Sequence, residues 1–187
     1  MGTTQKINKF LVVLSIIVIS SFFSMDKPVP RIDNTPVFQK SNISHNLPNS
    51  LLMYNNIEKY SSMYNVPKYI AYNVAYLETR YRGPFDWGYT HTQKSYAGAL
   101  GPMQIMPRTA NYIANDNISK KELMTNIDLN VNLSMKMLSN LYSRYKDWGV
   151  VCGYYNTGKP IINGYARYCR DNKNYRSKWL KIKKDNN

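Results

Sequence analysis

Glu78 is the residue of this chain best placed to do chemistry. It closes an apolar, tyrosine-rich helical pattern in Leu77-Glu78-Thr79-Arg80-Tyr81. Only two other glutamates occur, Glu58 and Glu122, and Glu122 has a structural role because Ser119-Lys120-Lys121-Glu122 reads as a capping box. Ile70, Val74, Leu77 and Tyr81 repeat at three and four residues and form a buried helical stripe. Glu78 borders that stripe, a costly position for a charge unless it has a purpose. A carboxylic acid can hand over a proton near neutral pH only if an apolar setting raises its pKa. Tyr76, Leu77 and Tyr81 supply such a setting.

Two downstream segments complete the constellation. Ser95-Tyr96-Ala97-Gly98-Ala99-Leu100-Gly101-Pro102-Met103-Gln104-Ile105-Met106-Pro107 is rich in glycine, which permits close backbone approach. Tyr154-Tyr155-Asn156-Thr157-Gly158 pairs aromatic and amide side chains. In this order and spacing the three segments, spanning residues 50–170, resemble the goose-lysozyme-like catalytic domain of soluble lytic transglycosylases.

The resemblance implies an enzyme that cleaves the bond between N-acetylmuramic acid and N-acetylglucosamine in peptidoglycan without water. Glu78 serves as acid and then as base, the sugar's 6-hydroxyl attacks C1, and a 1,6-anhydro product results. It further implies that Gln104, Met106, Ser95, Thr79 and Asn156 contact the glycan, and that Tyr155 hydrogen-bonds Glu78. No cofactor is implied. Thr79 stands where the family usually has serine, Pro102 replaces leucine, and Tyr154 and Thr157 replace alanines. Two other readings stay open: a muramidase that activates water with Asp86, and a silent glycan-binding assembly module.

The elements that must position these residues are mainly helical, a lysozyme-like domain with a long substrate loop. Asn49 or Ser50 caps a first helix carrying Leu51, Leu52, Ile57, Tyr60 and Tyr64. Pro67 opens a second in its first turn. Residues 82–106 show no periodicity, and a loop of that length inside a domain is usually functional. Pro107 restarts a helix, and Asp128 caps a longer one with Leu129, Leu133, Leu138, Leu141 and Tyr145 on its core side. Shorter helices follow from Trp148 to Tyr155 and from Asn163 to Cys169.

Outside the domain, Lys6 and Lys9 precede an apolar run from Phe10 to Phe23. That pattern in residues 1–25 predicts a signal peptide or an uncleaved signal-anchor, hence export to the periplasm or cell envelope. Residues 26–49 hold Pro28, Pro30, Pro36 and Pro48 among polar residues and read as a flexible linker. In an exported chain Cys152 and Cys169 are compatible with one disulfide, with two buried thiols as the alternative. His45 and His91 lie too far off for a metal site.

The net charge of +14 gathers partly in residues 171–187, expected as a basic tail that meets anionic wall polymer or a membrane surface. Nucleic acid is disfavoured, because no recognition motif accompanies the charge. A small domain with no wall-binding repeat suits a partner such as a secretion, conjugation or pilus machine.

Overall fold

The computed structural model describes residues 47–185. The expected signal segment and most of the linker therefore lie outside the described residues. Among those described, no helix is long and apolar enough to cross a membrane.

Helix α1 (Asn49–Met63) starts one residue earlier than its polar caps suggest, at Pro48. The Pro48 carbonyl accepts the amides of Leu51 and Leu52, and Ser50 instead donates its hydroxyl to the Pro84 carbonyl. Helix α2 (Lys68–Thr79) has Pro67 just outside its first turn and ends at Arg80, which adopts the left-handed conformation with φ 59°. The apolar stripe holds, with Ile70 and Val74 fully buried and Tyr81 2% exposed just past the helix end.

Helices α3 (Pro107–Ala114), α4 (Lys120–Thr125) and α5 (Ile127–Tyr145) follow the loop. Ser119 caps α4 by accepting the Glu122 amide, as expected. Asp128 does not cap α5. Asn126 does, accepting the Leu129 amide at 3.0 Å. Asp128 is drawn away by α1, where the Tyr60 hydroxyl donates to it at 2.9 Å and Lys59 lies 3.5 Å off.

Helices α6 (Trp148–Thr157) and α7 (Gly164–Asp171) are capped by Asp147 and Asn163. The main core lies among α1, α2, α5, α6 and α7, from Met53 and Ile57 to Leu138 and Val151. A second core of Leu100, Ile105, Ile113, Leu123 and Leu133 joins the loop to α3, α4 and α5. Within it Asn130 of α5 pins the glycine-rich segment. Its carboxamide oxygen accepts the Met103 amide, and its nitrogen donates to the carbonyls of Leu100 and Leu123. Gly101 is required there: its φ is 76°, and a Cβ would lie 2.4 Å from the Asn130 amide nitrogen.

Of the two readings left open for Cys152 and Cys169, the structure has the second: they are buried free thiols where α6 meets α7, not a disulfide. The Cys169 thiol donates to the Ile70 carbonyl at 3.8 Å, and both cysteines serve as small core residues. The stretch after residue 170 is not the separate tail expected. It forms α8 (Ser177–Asp185), whose Trp179 ring centre lies 4.9 Å from Tyr72, 5.5 Å from Tyr175 and 5.7 Å from Tyr54. That indole lies over Gly83, where a Cβ would come within 2.3 Å of the ring.

Candidate active site

Glu78 sits in the last turn of α2, and Tyr165 sits in the first turn of α7. The two helices are tied by Asn73, whose side-chain nitrogen donates to the carbonyls of Cys169 and Asn172 at 3.0 and 2.7 Å. This docking brings the Tyr165 hydroxyl to Glu78 Oε1, to which it donates at 2.7 Å. Burial pushes the Glu78 carboxyl up from the ordinary 4.5 to about 7, while the Tyr165 bond pulls it back. The result is an acid that holds its proton near neutrality and whose base form stays within reach.

The orienting role expected of Tyr155 thus falls to Tyr165. Tyr155 instead donates its hydroxyl to the Met103 carbonyl at 2.7 Å, clamping the glycine-rich segment to α6. Burial and then the Glu78 charge push its phenol up.

Thr79, expected at the glycan, is buried with 3% exposure. Its hydroxyl donates to the Pro102 carbonyl at 2.8 Å and shares a 2.9 Å hydrogen bond with the Tyr89 hydroxyl. It fastens the loop to the helix that carries Glu78. Ser95 is half-buried, and its Oγ accepts the Ala99 amide within the same turn.

Gln104, Met106, Tyr155 and Asn156 do converge. They line one cavity of about 540 Å³, between the glycine-rich segment, α3, α5 and α6. The Gln104 amide nitrogen is spent on the carbonyls of Gln93 and Gly101. The Asn156 oxygen accepts from Asn163, the cap of α7, so it couples the cavity to the helix of Tyr165. Met106 is 42% exposed and offers an apolar edge. Tyr154 and Thr157 also line the wall, so two of the departures from the family pattern bear on its shape. Arg108 is its one charged side chain. Glu78 is not part of the wall, and Tyr155 connects the two.

Asp86 is 7% exposed and held by Arg82 through two bonds of 3.1 Å, one to each oxygen. Among the described residues no group of three or more His, Cys, Asp or Glu side chains is arranged to hold a metal ion.

Tyr165 was missed because a loop separates it from the quoted motif. One signal pointed to it: it stands four residues before the buried Cys169, on the side of α7 that packs against the core.

A mainly helical fold with a half-buried acid at a helix end and a glycine-rich clamp defines a lysozyme-like glycan-cleaving class. The model of the transglycosylase SLT domain matches residues 55–178, and the chain belongs to that family of lytic transglycosylase domains. Among solved structures it is similar to an inactive mutant of the lytic transglycosylase Slt from Pseudomonas aeruginosa. That likeness has 16% identity and a TM-score of 0.48, and covers 70% of this chain and 24% of that one. The chain thus spans about a quarter of that protein's length. No curated protein matches.

Proposed function

We propose that this domain is a peptidoglycan lytic transglycosylase with Glu78 as its acid and base. The observation that carries the reading is the Glu78 carboxyl, raised by burial to about 7 and oriented by Tyr165. Protonated Glu78 gives its proton to the glycosidic oxygen as the bond to C1 breaks. The acetamido carbonyl of the muramic acid supports the positive charge at C1. The 6-hydroxyl then attacks C1 and returns its proton to the Glu78 carboxylate. The products are a 1,6-anhydro sugar and a free 4-hydroxyl, and the acid is regenerated.

The muramidase reading is weaker, because both oxygens of Asp86 are committed to Arg82 and a base that activates water needs a free one. A silent module would have no use for an acid poised near neutrality.

The cavity beside Tyr155 takes the glycan strand, with Gln104, Met106 and Asn156 along it. Arg108 meets a carboxylate of the peptide stem, since in stem-bearing strands the lactyl carboxyl of muramic acid is tied up as an amide and the sugars give a guanidinium no anion to pair with. An exported, envelope-located enzyme of this size suits local opening of the wall around a secretion, conjugation or pilus machine.

The test is mass spectrometry of muropeptides released from purified sacculi. Anhydro-muramic ends support the proposal, and reducing muramic ends would replace it with hydrolysis.

A further inference from the structure

The basic C-terminal helix and an exposed indole form a surface that the glycan chemistry does not use. Trp179 anchors α8 in the aromatic cluster of Tyr54, Tyr72 and Tyr175, which fixes the helix on the domain. Lys181, Lys183 and Lys184 are exposed on it. The Lys183 ammonium lies 5.4 Å from the centre of the Phe85 ring. Phe85 in turn meets Trp87 edge to face at 6.4 Å. Trp87 is 58% exposed. Arg176 lies 5.7 Å from the centre of the Trp179 ring. The acid nearest in sequence to Trp87, Asp86, is already neutralised by Arg82. Lys183 therefore stands beside one large exposed ring, and Lys181 and Lys184 spread further positive charge over the same helix.

We infer that this face docks the domain on an anionic phospholipid surface. Lysines held on a fixed helix are attracted by the headgroup charge, an attraction that acts within about a Debye length. An indole beside them suits the headgroup layer, where its ring is buried and its N–H stays solvated. Charge alone would suit a phosphate-rich wall polymer equally well. The exposed indole one ring away from Lys183 favours a lipid surface. The inference does not depend on the glycan chemistry.

The experiment uses the full chain and vesicles of phosphatidylcholine with or without phosphatidylglycerol. Comparing variants on both cancels whatever the residues before 47 contribute. Binding to anionic vesicles is expected to exceed binding to neutral ones by roughly tenfold or more at low salt. The triple variant Lys181→Gln, Lys183→Gln, Lys184→Gln removes that excess while cleavage of soluble glycan fragments is unchanged. Brominated lipid quenches tryptophan fluorescence in the wild type, and Trp87→Phe abolishes this quenching. No charge-dependent excess, or quenching that survives Trp87→Phe, overturns the inference. So does a soluble poly(glycerol phosphate) that binds through the same lysines while Trp87 stays unquenched on vesicles, since the face is then a wall-polymer site.

Discussion

Tyr165 and Glu78 meet in a 2.7 Å hydrogen bond across 87 positions of sequence, where α7 begins and α2 ends. The bond opposes burial at the same carboxyl, one favouring its charged form and the other its neutral form. The balance leaves the group near neutrality, and it rests on one phenol.

Removing the transferable proton tests the chemistry. Glu78→Gln keeps size and a hydrogen-bond acceptor for Tyr165, so it is expected to fold, bind glycan strands and lose about 10²- to 10⁴-fold in turnover. Release of anhydro-muropeptides checks it, and near-normal turnover in a folded variant ends the assignment.

The same substitution has a stability consequence with a definite sign. Below about pH 4 the side chain is neutral folded and unfolded, so wild type and Glu78→Gln differ little through charge. As pH rises from 4.5 through about 7 the unfolded chain loses its proton first, and the wild type loses stability. The shift corresponds to roughly 3 kcal/mol at most. Denaturant unfolding at pH 4 and pH 8 should therefore show the variant gaining relative stability only at the higher pH. An equal difference at both would contradict the buried-acid account.

The two tyrosines separate by pH. Tyr165→Phe removes a bond that favours the carboxylate, so the Glu78 pKa moves further up and the alkaline limb of the pH–rate profile shifts with it. Tyr155→Phe frees the Met103 carbonyl instead, so it should raise KM through the loop and leave that limb closer to its place. Profiles of kcat/KM across pH 5–9 check the contrast.

Loop attachment is read at Thr79. Thr79→Ser retains the hydroxyl and should cost roughly 1 kcal/mol for the lost buried methyl. Thr79→Val strands the Tyr89 hydroxyl and the Pro102 carbonyl, for about 1–3 kcal/mol. Thermal unfolding of the pair measures the difference.

Arg108→Gln should raise KM roughly 5- to 10-fold on peptide-bearing strands and have no such effect on strands whose stem carboxylates are amidated. Equal effects on both substrates would detach Arg108 from the stem. Asp86→Asn should keep the anhydro product, with stability reduced by about 1 kcal/mol because the Arg82 partner is 52% exposed.

The helical pattern made α1 to α7 legible, because core packing at Ile57, Ile70, Val74 and Leu138 obeys the local period. Caps were less legible. Asn126 and Asp128 are equally good caps in isolation, and a tyrosine from α1 decided between them. Among the site residues, the positions of Glu78 at the helix end and of Gln104, Met106 and Asn156 along the cavity follow from chain order. Thr79 and Tyr155 are a different case, since their partners are backbone carbonyls of the loop, whose path no periodicity reveals. The tail was misread because its lysines dominate its composition, yet the single indole at 179 decides where it goes.

That indole also bears on what can stand beneath it. Position 83 is closed to side chains twice over, because its φ of 109° suits glycine and the Trp179 ring occupies the space a Cβ would need. Shrinking residue 179 would relieve the crowding and leave the backbone strain. It would also give up the anchor that holds α8 against the loop after Glu78. Glycine at 83 is thus required by its own backbone first and by the indole second.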